Sequence, residues 1–136
     1  MAIDYGSKRT GIAVSDPLQI IANGLDTVAT GDLMDFLKKY LAEEEVEKMV
    51  VGDPLELDGS PAQIAHLVKG FVRKVQKEYP NIEIIMQDER YTSKDAEQII
   101  RQSGIGQKKR RDKSLVDKVS AVLILQEYME RQRYSL

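Results

Sequence analysis

Met1-Ala2-Ile3-Asp4-Tyr5-Gly6-Ser7-Lys8-Arg9-Thr10-Gly11-Ile12-Ala13-Val14-Ser15-Asp16-Pro17 opens the chain as two strands joined by a tight turn. Met1 to Asp4 is short for a strand, so upstream residues are expected to be missing or the strand to be trimmed. Tyr5 to Arg9 supplies the turn and Thr10 to Ser15 the returning strand, which Pro17 ends because proline has no N–H for the ladder. Asp4 therefore closes a strand. Taken alone, such an aspartate usually accepts backbone hydrogen bonds, and Gly6 and Gly11 read as turn glycines serving backbone geometry. Two further acidic positions stand at comparable places. Asp88 and Glu89 close the strand Ile82–Gln87 and precede Arg90, and Asp117 lies in the first turn of the last helix. Carboxylates at the ends of separate elements can converge, and several oxygen ligands at one point are what a hard cation such as Mg²⁺ requires.

Between these points the chain alternates strands and helices. Gly24 to Val28 is a weaker third strand, and Asp32 to Glu45 carries Leu33, Phe36, Leu37, Tyr40 and Leu41 at helical spacing. Lys48 to Gly52 is a brief unalternating apolar run, as in a buried parallel strand. Ser60-Pro61 supplies a cap and a first-position proline, starting a helix with Ile64, Leu67, Val68, Phe71, Val72 and Val75 on one face. After the Ile82–Gln87 strand come a short helix near Ser93 to Gln102 and a glycine- and base-rich loop from Ser103 to Lys113. A final helix runs from Ser114 to about Arg131. The order is an antiparallel meander followed by parallel strands with helical crossovers.

Bulk properties exclude several classes. The chain of 136 residues suits one domain spanning residues 1–136, with 42% apolar and 31% charged residues as in ordinary globular proteins. No apolar run reaches membrane-span length. With no cysteine there is no disulfide, cysteine–zinc site or thiol nucleophile, and a cytoplasmic location is expected. The formal net charge is −2, so any affinity for nucleic acid must come from a local patch.

Four motifs in order carry a resemblance: Asp4-x-Gly6-x-x-x-x-Gly11-Ile12-Ala13-Val14-Ser15-Asp16, Gly52-x-Pro54-x-x-x-Asp58-Gly59-Ser60, Asp88-Glu89-Arg90-x-Thr92, and Asp117-x-x-x-Ala121. Together they resemble the YqgF/RuvX family of Holliday-junction-resolvase-like proteins, also described as pre-16S rRNA nucleases. The resemblance runs to about Gln126. It implies an α/β, ribonuclease H-like fold: a mixed five-stranded sheet, three antiparallel strands then parallel ones, flanked by helices. It also implies a metal-dependent nuclease in which Asp4, Glu89 and Asp117 hold Mg²⁺ or Mn²⁺.

Each position also has a plainer reading. Asp88, Glu89 and Arg90 could form a surface ion cluster of little energetic value. Strand alternation sends Asp88 and Glu89 to opposite sides, so one of them faces a metal, and the resemblance selects Glu89. Ser114-Leu115-Val116-Asp117 has capping-box spacing. Against that reading, Ala121 on the same face lets the helix lie close to a sheet, where Asp117 could enter a site aided by the helix dipole. Thr92 or Ser93 reads as a helix cap. Asp53 is a secondary ligand candidate, Asp58-Gly59 a turn, and His66 a structural mid-helix residue. Lys8 and Arg9 in the first turn, Arg90, and the run Lys108, Lys109, Arg110, Arg111 and Lys113 are candidate phosphate contacts whose binding would weaken with salt. Sparse aromatics argue against base stacking.

The expected activity is metal-dependent hydrolysis of phosphodiester bonds in structured nucleic acid. The resemblance favours processing of the 5′ end of pre-16S rRNA, with Holliday junction resolution on branched DNA as the alternative. A monomer or a homodimer is compatible; symmetric cutting of a junction requires two sites. Two rivals stand beside this: a catalytically weak binding module, and an actin-like ATPase, disfavoured because the chain has no second Asp-x-Gly loop. Three close carboxylates repel one another, so metal is expected to stabilise the fold.

Overall fold

A computed structural model describes residues 1–18, 21–54, 59, 62–88 and 113–134. The strands are β1 (Ala2–Tyr5), β2 (Arg9–Ser15), β3 (Ala22–Ala29), β4 (Lys48–Asp53) and β5 (Glu83–Asp88). The helices are α1 (Leu33–Glu43), α2 (Ala65–Glu78) and α3 (Lys113–Tyr134), with a 3₁₀ turn at Thr30–Asp32 leading into α1. The five strands form one sheet in the order β3-β2-β1-β4-β5. β1 runs antiparallel to β2 and β2 to β3, while β4 runs parallel to β1 and to β5. This is the expected ribonuclease H-like arrangement. No helix among the described residues is long and apolar enough to cross a membrane.

Alternation along the strands sorts the core into two layers. On one face Ile3, Ile12, Met49 and Val51 pack with Leu33 and Leu37 of α1 and with Val68, Phe71 and Val75 of α2. On the other, Ala2, Ala13 and Val50 pack with Ala121, Ile124, Leu125, Tyr128 and Met129 of α3. The second face is built from small residues on its sheet side, and this brings α3 close. A bulge in β3 sets Gly24 opposite Ala13, and a Cβ at Gly24 would meet the Lys118 side chain of α3.

Several boundaries differ from the sequence reading. β3 extends over eight residues, because pairing with β2 supports positions whose own propensity is weak. α2 begins at Ala65 with Ile64 as N-cap and no side-chain capping bond. Ala62 N–H instead donates to Pro54 O at 2.8 Å, tying the approach to α2 back to the end of β4. The proposed cap Ser60-Pro61 lies outside the described residues, as do the helix expected near Ser93–Gln102 and the basic loop before Lys113. Leu67 is 42% exposed, since it sits at the rim of the α2 stripe centred on Val68, Phe71 and Val75. His66 is the second residue of α2 rather than mid-helix; it is exposed, with Nδ1 2.8 Å from Gln63 O.

Candidate nuclease site

β1 ends beside the start of α3, and a glycine makes the approach possible. Asp4 pairs with Gly11 across the β1–β2 ladder, where opposed Cα atoms stand roughly 4.5–5.5 Å apart. A Cβ at Gly11 would overlap the Asp117 carbonyl oxygen and lie 2.5 Å from its carbonyl carbon. No side chain fits between β2 and α3 at this point. Gly11 is thus a spacing residue, not a turn glycine, and among the described glycines only Gly59 has a positive φ, 89°. That φ suits the turn read at Asp58-Gly59, although Asp58 lies outside the described residues. Gly6 also serves close approach: a Cβ there would overlap the Arg9 carbonyl.

Asp4 and Asp117 therefore share the α3 face of the sheet. Asp117 is not in the first turn of α3, and its carboxylate does not serve a capping box. It accepts instead from Arg9 Nε, with Oδ2 at 2.9 Å. Arg9, Gly11 and Ala13 alternate onto this same face of β2. The guanidinium offsets part of the repulsion expected between the carboxylates. Lys8, the next cation in the turn, is exposed.

β4 and β5 turn their end residues, Asp53 and Asp88, away from the α3 face. Gln87, buried on the α3 face, donates from Nε2 to Ile124 O at 2.8 Å. Asp88 therefore points to the α1/α2 face, paired with Asp53. Asp53 and Asp88 are thereby separated from Asp4 and Asp117 by the sheet itself, which removes Asp53 as a secondary ligand. Glu89, Arg90, Thr92, Ser93, Lys108, Lys109, Arg110 and Arg111 lie outside the described residues. Lys113 is the first residue of α3.

Three supporting contacts, all made by Thr30, were not legible in the sequence. The Thr30 hydroxyl donates to Gly6 O at 2.6 Å, and Thr30 N–H donates to Lys8 O at 3.0 Å. Its single hydroxyl proton being used, Thr30 Oγ1 accepts from Thr10 Oγ1, 2.9 Å away and fully buried. The start of the α1 connection thus braces the turn after Asp4. A cavity of about 420 Å³ lies at the opposite end of β1, near Asp16, Tyr40, Glu44 and Tyr128, and no candidate site residue lines it.

Among the described residues no three His, Cys, Asp or Glu side chains form a metal-binding group. The donors on the α3 face, two carboxylates without thiol or imidazole, suit a hard divalent cation completed by further oxygens.

Comparison with known proteins places the chain in a family. The model of a family described as RuvX, Holliday junction resolvase, matches residues 1–131. A Flavobacterium johnsoniae protein named "Putative pre-16S rRNA nuclease" is 46% identical over 134 residues, covering 98% of this chain and 97% of that protein. A Porphyromonas gingivalis protein of the same name is 48% identical over 130 residues, covering 96% and 94%. With the strand order and the matched motifs, these similarities establish that the chain belongs to the RuvX family.

Proposed function

We propose that the chain is a metal-dependent nuclease that hydrolyses phosphodiester bonds in structured nucleic acid, with the 5′ end of pre-16S rRNA as substrate. The observation that carries this reading is the close approach of Asp117 on α3 to Gly11, the ladder partner of Asp4, on one face of the sheet. The names of the similar proteins support the RNA assignment. Asp4, Asp117 and Glu89 would hold one or two Mg²⁺ or Mn²⁺ ions, which when bound supply an activated water and stabilise charge on the scissile phosphate and leaving oxygen. The chain's own residues set the stage. Gly11 and Ala121 seat α3, Thr30 braces the turn after Asp4, and Arg9 pairs with the Asp117 carboxylate. Lys8, Arg9, Arg90 and the 108–113 run would engage the phosphate backbone, and the protein would act in the cytoplasm.

Resolution of branched DNA is the second reading, favoured by the description of the matching family. It would require a homodimer for symmetric cutting, whereas RNA processing is open to a monomer. Labelled structured RNA and a four-way DNA junction, each with Mg²⁺, Mn²⁺ or EDTA, test both. Cleavage that needs metal and is lost in Asp4→Asn is expected, with RNA the better substrate. Preferential junction cutting would select the second reading. No cutting of either substrate, with salt-sensitive binding intact, would leave a binding module.

A further inference from the structure

The candidate site contains a cation whose hydrogen-bonding capacity is only partly used. Arg9 gives Nε–H to Asp117 Oδ2 at 2.9 Å. Among the described residues, its two terminal amino groups have no hydrogen-bond partner and Asp117 accepts from no other group. The side chains are 38% and 23% exposed, so the pair is wet. Ion pairs in that setting are weak and readily exchanged. The other carboxylate of the site, Asp4, is the ladder partner of Gly11, which lies two residues along β2 from Arg9.

Resting on the reading of Asp4 and Asp117 as metal ligands, we propose that Arg9 couples metal binding to nucleic-acid binding by exchanging partners. Without a cation it neutralises Asp117. When a divalent ion takes that carboxylate, the guanidinium is left beside a like charge and turns to a backbone phosphate. A guanidinium suits this handover because its planar fork matches a phosphate with two parallel N–H···O bonds. The exchange gives the two ligands mutual dependence: metal frees the fork for phosphate, and phosphate removes the competitor for Asp117. By linkage each tightens the other by the same factor. An Arg9 that merely held the Asp117 rotamer would act in the opposite sense, and its loss would weaken metal binding.

The signs separate the two. Removing one positive charge a few ångströms from a divalent ion strengthens its binding by about tenfold even at the dielectric constant of water. Mn²⁺ titrated calorimetrically into the full chain, Arg9→Gln and Arg9→Lys, with and without a short RNA hairpin, measures it. Arg9→Gln is expected to bind Mn²⁺ alone about tenfold more tightly than the parent, and the hairpin should tighten Mn²⁺ binding less in this variant. Arg9→Lys keeps the charge and loses the fork. It should bind Mn²⁺ alone like the parent while responding less to RNA. Equal or weaker Mn²⁺ binding by Arg9→Gln, in a protein whose urea unfolding matches the parent, overturns the exchange. Asp117→Asn distinguishes the failures: unchanged Mn²⁺ affinity there would remove Asp117 from the ligand set and take the underlying reading of the site with it.

Discussion

Replacing Gly11 by alanine reverses the usual sign of a glycine substitution. In an unobstructed strand, Gly→Ala stabilises by roughly 0.4–1 kcal/mol, because the unfolded chain has fewer conformations to lose. At Gly11 the new Cβ overlaps the Asp117 carbonyl oxygen and stands 2.5 Å from the carbonyl carbon and 3.1 Å from Lys118 N. Carbon atoms in contact settle at about 3.5–4.0 Å, so α3 must retreat by about 1 Å. The obstacle is helix backbone, which has no rotamer through which to escape. Retreat loosens the packing of Ala121, Ile124 and Leu125 on Ala2, Ala13 and Val50, and overpacking of this kind costs about 1–3 kcal/mol. The net expectation is a loss of about 1–2 kcal/mol. The same retreat moves Asp117 from Asp4, and a misplacement of about 1 Å is worth about 100-fold in rate. Gly70→Ala is the internal control. Gly70 lies inside α2, a Cβ there meets nothing within 4 Å, and a gain of about 1 kcal/mol is expected. Urea unfolding of both variants, with the RNA cleavage assay, reads the outcome. A Gly11→Ala protein as stable as the parent, or more so, would refute the spacing role and the seating of Asp117 derived from it.

Three further outcomes are expected. Ser120 Oγ is buried without a hydrogen-bond partner, so Ser120→Ala should raise stability by about 1 kcal/mol by thermal unfolding; a lower melting temperature would show that the hydroxyl is satisfied. Thr30→Val leaves Gly6 O and the buried Thr10 hydroxyl without Thr30 Oγ1 and should cost about 1–3 kcal/mol in urea. An unchanged midpoint would show that the brace is dispensable. Mn²⁺ at 100 times its dissociation constant should stabilise the protein by about 2.7 kcal/mol, and a melting temperature indifferent to both Mn²⁺ and Mg²⁺ would count against the carboxylate site.

The legible part of the molecule is the part written in local pattern. Periods of two and 3.6 located the five strands, α1, most of α2 and α3, and the unalternating run at Lys48–Gly52 marked a parallel strand with helices on both sides. The order of these elements implied the meander and crossovers, and Asp88 ends β5 as expected, whereas β1 runs one residue past Asp4 because Tyr5, read as turn, pairs with Thr10. Alternation along β5 puts Gln87 on the α3 face and Asp88 on the other, and the Glu89 side expected from it lies outside the described residues. Local pattern failed where a partner distant in sequence decided the outcome. The spacing Ser114-x-x-Asp117 was a sound capping signal, yet the carboxylate went to Arg9, 108 positions away.

From sequence alone came the succession of strands and helices and the acidic positions near their ends, because hydrophobic periodicity and strand endings are properties of contiguous residues, while the sheet arrangement came from the family resemblance. Tertiary structure decided what lies within contact distance: that Gly11 is vacant for the backbone of α3, that Arg9 answers Asp117, that Thr30 reaches back to Gly6, and that Asp53 faces away. Those facts depend on the register between strands and on the depth at which a helix rests on a sheet. Both are set by close packing of residues far apart in the chain, and no local spacing encodes them.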